Sequence, residues 1–173
     1  MNKKICCILD TCVLSFLIED FNKIGVEEKE RFNIFESIKN EINDFVVSSI
    51  AIHELTLGLQ ENNYIEDNYL KIIINYLKFF FNDKLKIEPL NIISANEYRK
   101  IYINNKIEPK NKYKHKIDAL IVAQASHYAS MLHGRYSDFW LITEDAKMRE
   151  YKANDIKIYS LKETKKILDY LYE

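Results

Sequence analysis

Short apolar runs, each stopping at a polar turn and followed by a stretch with helical spacing, recur along this chain. That alternation restricts the fold more than any other feature. Lys4–Leu9, Phe45–Val47, Lys86–Leu90, Phe139–Thr143 and Ile156–Tyr159 read as strands. The runs are apolar almost throughout, the pattern of strands buried on both faces of a parallel sheet. Between them, Glu27–Ile42 sets Phe32, Ile34, Phe35, Ile38 and Ile42 against charged residues at helical intervals. Cys12–Ile18 starts a helix, and Ser48 and Ser49 offer hydroxyl caps for a helix over Ile50–Leu59. Tyr64–Phe81 is a long helix whose Tyr/Phe stripe serves the core or an interface. Ala95–Asn104 is helical, and Asn105–Lys116, which contains Pro109, reads as a polar loop. Asp118–Leu132 is an alanine-rich helix with Gly134 as its C-cap. Ala146–Tyr151 and Leu161–Leu171 complete the helices. The expectation is an α/β fold: a three-layer α/β/α sandwich around a mainly parallel sheet of about five strands. A length of 173 residues, with no repeat and no linker, fits a single domain over 1–173.

Composition narrows the functions such a fold can carry. The formal net charge is −1, so attraction to phosphates must come from a local basic surface. Cys6, Cys7 and Cys12 form an odd, clustered set that makes a poor disulfide framework and suits a reducing cytosol. No Cys-x-x-Cys occurs, and the four histidines lack zinc-site spacing. With only three isolated glycines, neither a phosphate-binding Gly-x-x-x-x-Gly-Lys loop nor a Gly-x-Gly-x-x-Gly turn is present. A Gly-x-Ser-x-Gly nucleophile elbow is missing too. Asp10 ends the first apolar run before it reaches the length of a signal-peptide core, and no run is long enough to span a bilayer. A cytoplasmic protein without a membrane partner is expected.

In a parallel α/β sheet the ligand site lies beyond the carboxyl ends of the strands. Asp10 follows the first strand and Asp145 follows the fourth by two residues, so both reach one rim. Glu54 lies on the helix after the second strand, and Asp118 opens the helix that leads into the fourth. Capping is a competing role for Asp10, Asp118 and Asp145, because each precedes or begins a helix. Glu144 is a rival acid at the same rim. Two like charges about 4 Å apart repel by about 4 kcal/mol at an effective dielectric near 20. Converging carboxylates therefore share protons or hold a cation. Oxygen-only ligands select Mg²⁺ or Mn²⁺, as one ion or two, and such ions hydrolyse phosphodiesters.

These residues resemble the PIN-domain family. Leu9-Asp10-Thr11-Cys12-Val13-Leu14 is similar to its opening motif. Ser49 through Glu54-Leu55 and Gly58-Leu59 is similar to its second, Asp118-Ala119-Leu120-Ile121-Val122-Ala123 to its third, and Leu141-Ile142-Thr143-Glu144-Asp145 to its fourth. Order and spacing agree from Ile5 to Tyr159. The resemblance implies a Mg²⁺- or Mn²⁺-dependent endoribonuclease. Asp10, Glu54 and Asp118 would bind metal, and Asp145 would be a weaker or second-metal ligand. Thr11 and Thr143 would support them or touch phosphate. Many members carry Asn where this chain has Cys12, which leaves the support of Asp10 open. Small members of the family act as toxins of toxin–antitoxin pairs, which implies a small antitoxin partner and, by analogy, a homodimer.

Arg99, Lys100, Lys106, Lys110, Lys112, Lys114 and Lys116 face a single acid, Glu108, in the stretch running into Asp118, with Tyr102 and Tyr113 interleaved. Arg99, Lys110, Lys112, Lys114 and Lys116 are the candidates for contact with an RNA backbone, and the tyrosines for stacking. A solvated loop is the alternative. His53, His115, His127 and His133 read as structural or surface residues. Other functions compatible with the family are a catalytically silent RNA- or protein-binding module and an RNA-processing nuclease that is not a toxin. A receiver-like domain would need an acid after the third strand, and Lys86–Leu90 offers none there.

Overall fold

β1 (Ile5–Leu9) runs through the middle of a five-stranded sheet with every residue buried, as its unbroken apolar sequence requires. The computed structural model describes residues 3–19, 24–60, 69–82, 84–89, 92–105 and 113–172. β2 (Asp44–Ser48) and β4 (Asp138–Ile142) flank β1, and β3 (Leu85–Glu88) and β5 (Lys157–Tyr159) form the edges, in the order β3-β2-β1-β4-β5. Every pairing is parallel. Registers such as Ile8 with Val46 on one side and Leu141 on the other carry the strand ends to a common rim. The edge strands are shorter and less buried, because each has a neighbour on one side only.

The helices are α1 (Thr11–Ile18), α2 (Val26–Ile38), α3 (Ser49–Gln60), α4 (Tyr69–Phe80), α5 (Ile92–Asn104), α6 (Tyr113–Met131), α7 (Ala146–Arg149) and α8 (Leu161–Tyr172). They cover both faces of the sheet, giving the expected three-layer sandwich. Between α2, β2 and α4 lies an aromatic cluster in which the Phe45 and Phe81 rings sit 4.6 Å apart and Phe35 meets Phe81 edge to face at 5.6 Å. α4 buries Ile73 and Leu77 yet leaves Ile72, Tyr76 and Phe79 exposed. Its apolar stripe is thus core on one side and surface on the other. The part of the expected helix before Tyr69 lies outside the described residues.

α6 departs from the sequence reading. It begins at Tyr113, so the last four residues assigned to a polar loop are helical. Tyr, Lys and His are ordinary helix residues, and their polarity alone does not end a helix. Asp118 consequently lies in the second turn and is not the cap. From Ile117 to Ala129 this helix is buried almost all round, packed between the sheet and α5. Its buried Gln124 is satisfied internally: Ser48 Oγ donates to Gln124 Oε1, and Gln124 Nε2 donates to the Glu88 carbonyl at 2.6 Å. Gly134, with φ of +95°, closes the turn after α6, where Arg135 N–H reaches the Leu132 carbonyl at 2.9 Å.

Candidate metal centre

Asp10 takes the place where β1 ends and α1 begins. Its main chain continues the sheet for one more bond, N–H to the Ile142 carbonyl at 3.1 Å, and its own carbonyl accepts from Val13 and Leu14 at the start of α1. The side chain is 4 % exposed. Oδ1 accepts the Thr11 N–H at 2.7 Å. Oδ2 accepts the Thr143 hydroxyl at 2.7 Å and the Cys12 thiol at 2.9 Å. A buried carboxylate needs such donors, since each replaces hydration lost on folding.

Thr11 joins Asp10 to the second acid. While its N–H serves Asp10, its hydroxyl donates to Glu54 Oε2 at 2.7 Å, across from α3. That bond turns Glu54 toward Thr11 at the rim. Thr143, fully buried at the end of β4, does the same for the fourth acid: its hydroxyl donates to Asp10 and accepts the Asp145 N–H at 3.0 Å. Asp145 also caps α7, its Oδ1 accepting from Lys147 N at 2.8 Å and Met148 N at 3.3 Å. Of the two roles the sequence posed for Asp145, capping is the one these bonds make.

Asp118 enters from α6 and is as buried as Asp10, at 4 %. His115, one turn earlier, places Nδ1 3.6 Å from Asp118 Oδ2. Burial, and after it the charges of Asp118 and Asp145, push the Tyr151 phenol up to about 12. That hydroxyl donates to the His115 carbonyl at 3.4 Å. Burial is also the main reason the Cys12 thiol is pushed up to about 12, with the charge of Asp10 next; at neutral pH it keeps its proton and can donate.

Glu144 leaves the rim. Its Oε1 accepts the Leu161 N–H at 2.9 Å at the head of α8, and its Oε2 lies 3.6 Å from Arg31 Nε. It ties α8 to α2 and adds no charge to the acid group. Of the basic candidates, Arg99 is exposed and Lys116 half-buried. Lys110 and Lys112 lie outside the described residues, as does the side chain of Lys114. Tyr102 is half-buried and packs with Tyr98 at a ring separation of 5.7 Å, and the Tyr113 side chain lies outside the described residues.

Neither Asp10 nor Glu54 is paired with a lysine or arginine among the described residues. Two carboxylates sharing one threonine, one of them buried, and neither paired with a cationic side chain, form a donor set that suits a hard divalent cation. Among the described residues no three His, Cys, Asp or Glu side chains stand close enough to be a ready-made cage. The arrangement fits an ion that keeps most of its water, as Mg²⁺ does. The contacts of His115 and Tyr151 were not anticipated from sequence, while the part of Cys12 in supporting Asp10, left open there, is a thiol hydrogen bond. Only Cys12 had a signal, its place two residues after Asp10 in the first turn of a helix.

The family profile of the PIN domain matches residues 7–154, so the chain belongs to the PIN domain family. Among curated proteins no sequence matches it. Solved structures share the fold. VapBC2 from Rickettsia felis, bound to a DNA fragment from its promoter, superimposes with a TM-score of 0.57 at 15% identity over 90% of this chain and 98% of that one. FitAcB from Neisseria gonorrhoeae gives 0.55 at 18% identity over 90% of this chain and 97% of that one. PAE2754 from Pyrobaculum aerophilum gives 0.50 at 11% identity over 96% and 98%.

Proposed function

We propose that this PIN domain is a Mg²⁺- or Mn²⁺-dependent endoribonuclease and the toxin of a type II toxin–antitoxin pair. The observation that carries the reading is the Asp10–Glu54 carboxylate pair, joined through Thr11 at the carboxyl rim of a parallel sheet and lacking a cationic partner among the described residues. Asp10, Glu54 and Asp118 would hold the metal, with Asp145 at a weaker or second position. A divalent ion bound there supplies an activated water and charge stabilisation of the leaving oxygen in phosphodiester hydrolysis. The chain's own part is placement. Thr143 and Cys12 fix the plane of the Asp10 carboxylate, and Thr11 sets Glu54 beside it. Arg99 and Lys116, with Lys110, Lys112 and Lys114, would hold the RNA backbone as point charges and hydrogen-bond donors.

The partner half of the proposal draws on two neighbours: VapBC2 is described as bound to DNA from its promoter, and FitAB as bound to a DNA fragment. With them the proposal takes a small DNA-binding antitoxin that covers the acidic rim and a homodimer of the nuclease in the cytoplasm. Cleavage of a labelled total-RNA pool with Mg²⁺, Mn²⁺ or EDTA tests the activity. Wild type is expected to cut only with metal, and Asp10→Asn to lose at least about 100-fold in rate, beyond what a supporting residue costs. Cutting that survives EDTA, or that Asp10→Asn leaves intact, overturns the metal mechanism. Absence of cutting by folded wild type in either metal leaves two readings, a specific target missing from the pool or a silent binding module.

A further inference from the structure

We infer that Cys12 is a positioning residue whose thiol, together with the Thr143 hydroxyl, occupies one oxygen of Asp10 and leaves the other as the oxygen offered to a cation. The inference rests on the metal reading above. A carboxylate oxygen has about two lone-pair sites. Asp10 Oδ2 has both filled, by Thr143 Oγ1 at 2.7 Å and Cys12 Sγ at 2.9 Å. Oδ1 accepts a single donor among the described residues, the Thr11 N–H at 2.7 Å. The two oxygens are therefore unequal before any ion arrives, and the orientation of the carboxylate is decided in advance.

The sulfur is itself held. It accepts the Glu144 N–H at 3.3 Å and stands 3.5 Å from Thr143 Oγ1. Cys12 thus ties the first turn of α1 to the connection between β4 and α7, across 132 residues of sequence. A thiol is a weak donor, but its acceptor here is a buried carboxylate oxygen that it approaches to 2.9 Å. Alanine at this position removes the donor. Serine keeps a donor on a shorter arm.

Two measurements test this. The S–H stretching band of wild-type protein, isolated by difference from Cys12→Ser, is expected at lower frequency than that of a thiol with no acceptor; an unshifted band overturns the inference without touching the metal reading. Mn²⁺ affinity of the intact chain, measured by titration calorimetry on wild type, Cys12→Ala and Cys12→Ser, is the second. Loss of the donor is expected to weaken binding about tenfold or more, the range typical of residues that orient metal ligands. Cys12→Ser is expected to recover most of that loss, while the melting curves without cation show each variant folded. Affinity unchanged in Cys12→Ala overturns the inference, as does Cys12→Ser binding as weakly as Cys12→Ala. Should Cys12→Ala fail to fold, the infrared band and the serine variant still decide. Absence of Mn²⁺ binding by wild type overturns the metal reading and this inference with it.

Discussion

At the scale of single residues, the hydroxyl of Thr143 is the sharpest test of how the acid group is held. Thr143→Val keeps the shape and removes a hydrogen bond to a buried carboxylate, which should cost about 1.5–3 kcal/mol in urea unfolding, the range for bonds to charged groups. Proton linkage gives a second prediction, at the opposite end of the sheet. Burial, and then the charge of Asp44, push the Cys6 thiol up to about 12 from an ordinary value of 9.0. Burial does the same to the Tyr128 phenol, up to about 12 from 10.0. In both, folding favours the neutral form. Their contribution is complete below the unfolded values and is lost as pH rises through the folded ones. The urea midpoint should therefore begin to fall near pH 9 and keep falling toward pH 12; a flat profile across that window would contradict the burial of these groups. Asp10 and Asp145 were legible in the sequence because each follows a strand, whereas Asp118, read as opening a helix, lies in its second turn. Their supports were less so. That Thr11 serves two carboxylates, or that Glu144 caps α8, depends on side-chain directions that only packing sets.

For single elements, α7 separates the observed cap from the proposed metal role of Asp145. Asp145→Ala removes the cap and should destabilise by about 0.5–2 kcal/mol, whereas Asp145→Asn keeps a good cap and removes the charge. Thermal melting should therefore distinguish alanine from asparagine, while cation affinity should fall in both. The turn after α6 makes a comparable demand. Gly134 has open space for a Cβ but a φ of +95°, so Gly134→Ala should lose about 1–2 kcal/mol to backbone strain alone, read from the urea midpoint. Most elements were legible, since an unbroken apolar run between polar turns has few alternatives to a buried parallel strand. The start of α6 was not. Its first turn carries Lys114, His115 and Lys116, a charge pattern shared by solvated loops and exposed helix ends, and only docking against α5 chooses between them.

Across the whole molecule, α4 shows which apolar residues belong to the core. Leu77 is fully buried, so Leu77→Ala should cost about 2–5 kcal/mol, while Phe79, 83% exposed, should change stability by no more than about 0.5 kcal/mol when replaced by serine. Periodicity alone could not assign these two faces, because both are apolar. The order of the sheet has a further consequence. β1, first in the chain, is flanked by β4, and the bond from Thr143 to Asp10 closes over 133 residues. Chains are made from the N-terminus at about 5–20 residues per second, and domains fold as units. A ribosome that has delivered α5 has exposed Asp10 and Glu54 but neither Asp118, Thr143 nor Asp145. The acid group is therefore closed only once β4 and Asp145 have been delivered, and under the proposed function no shorter nascent chain carries the whole set.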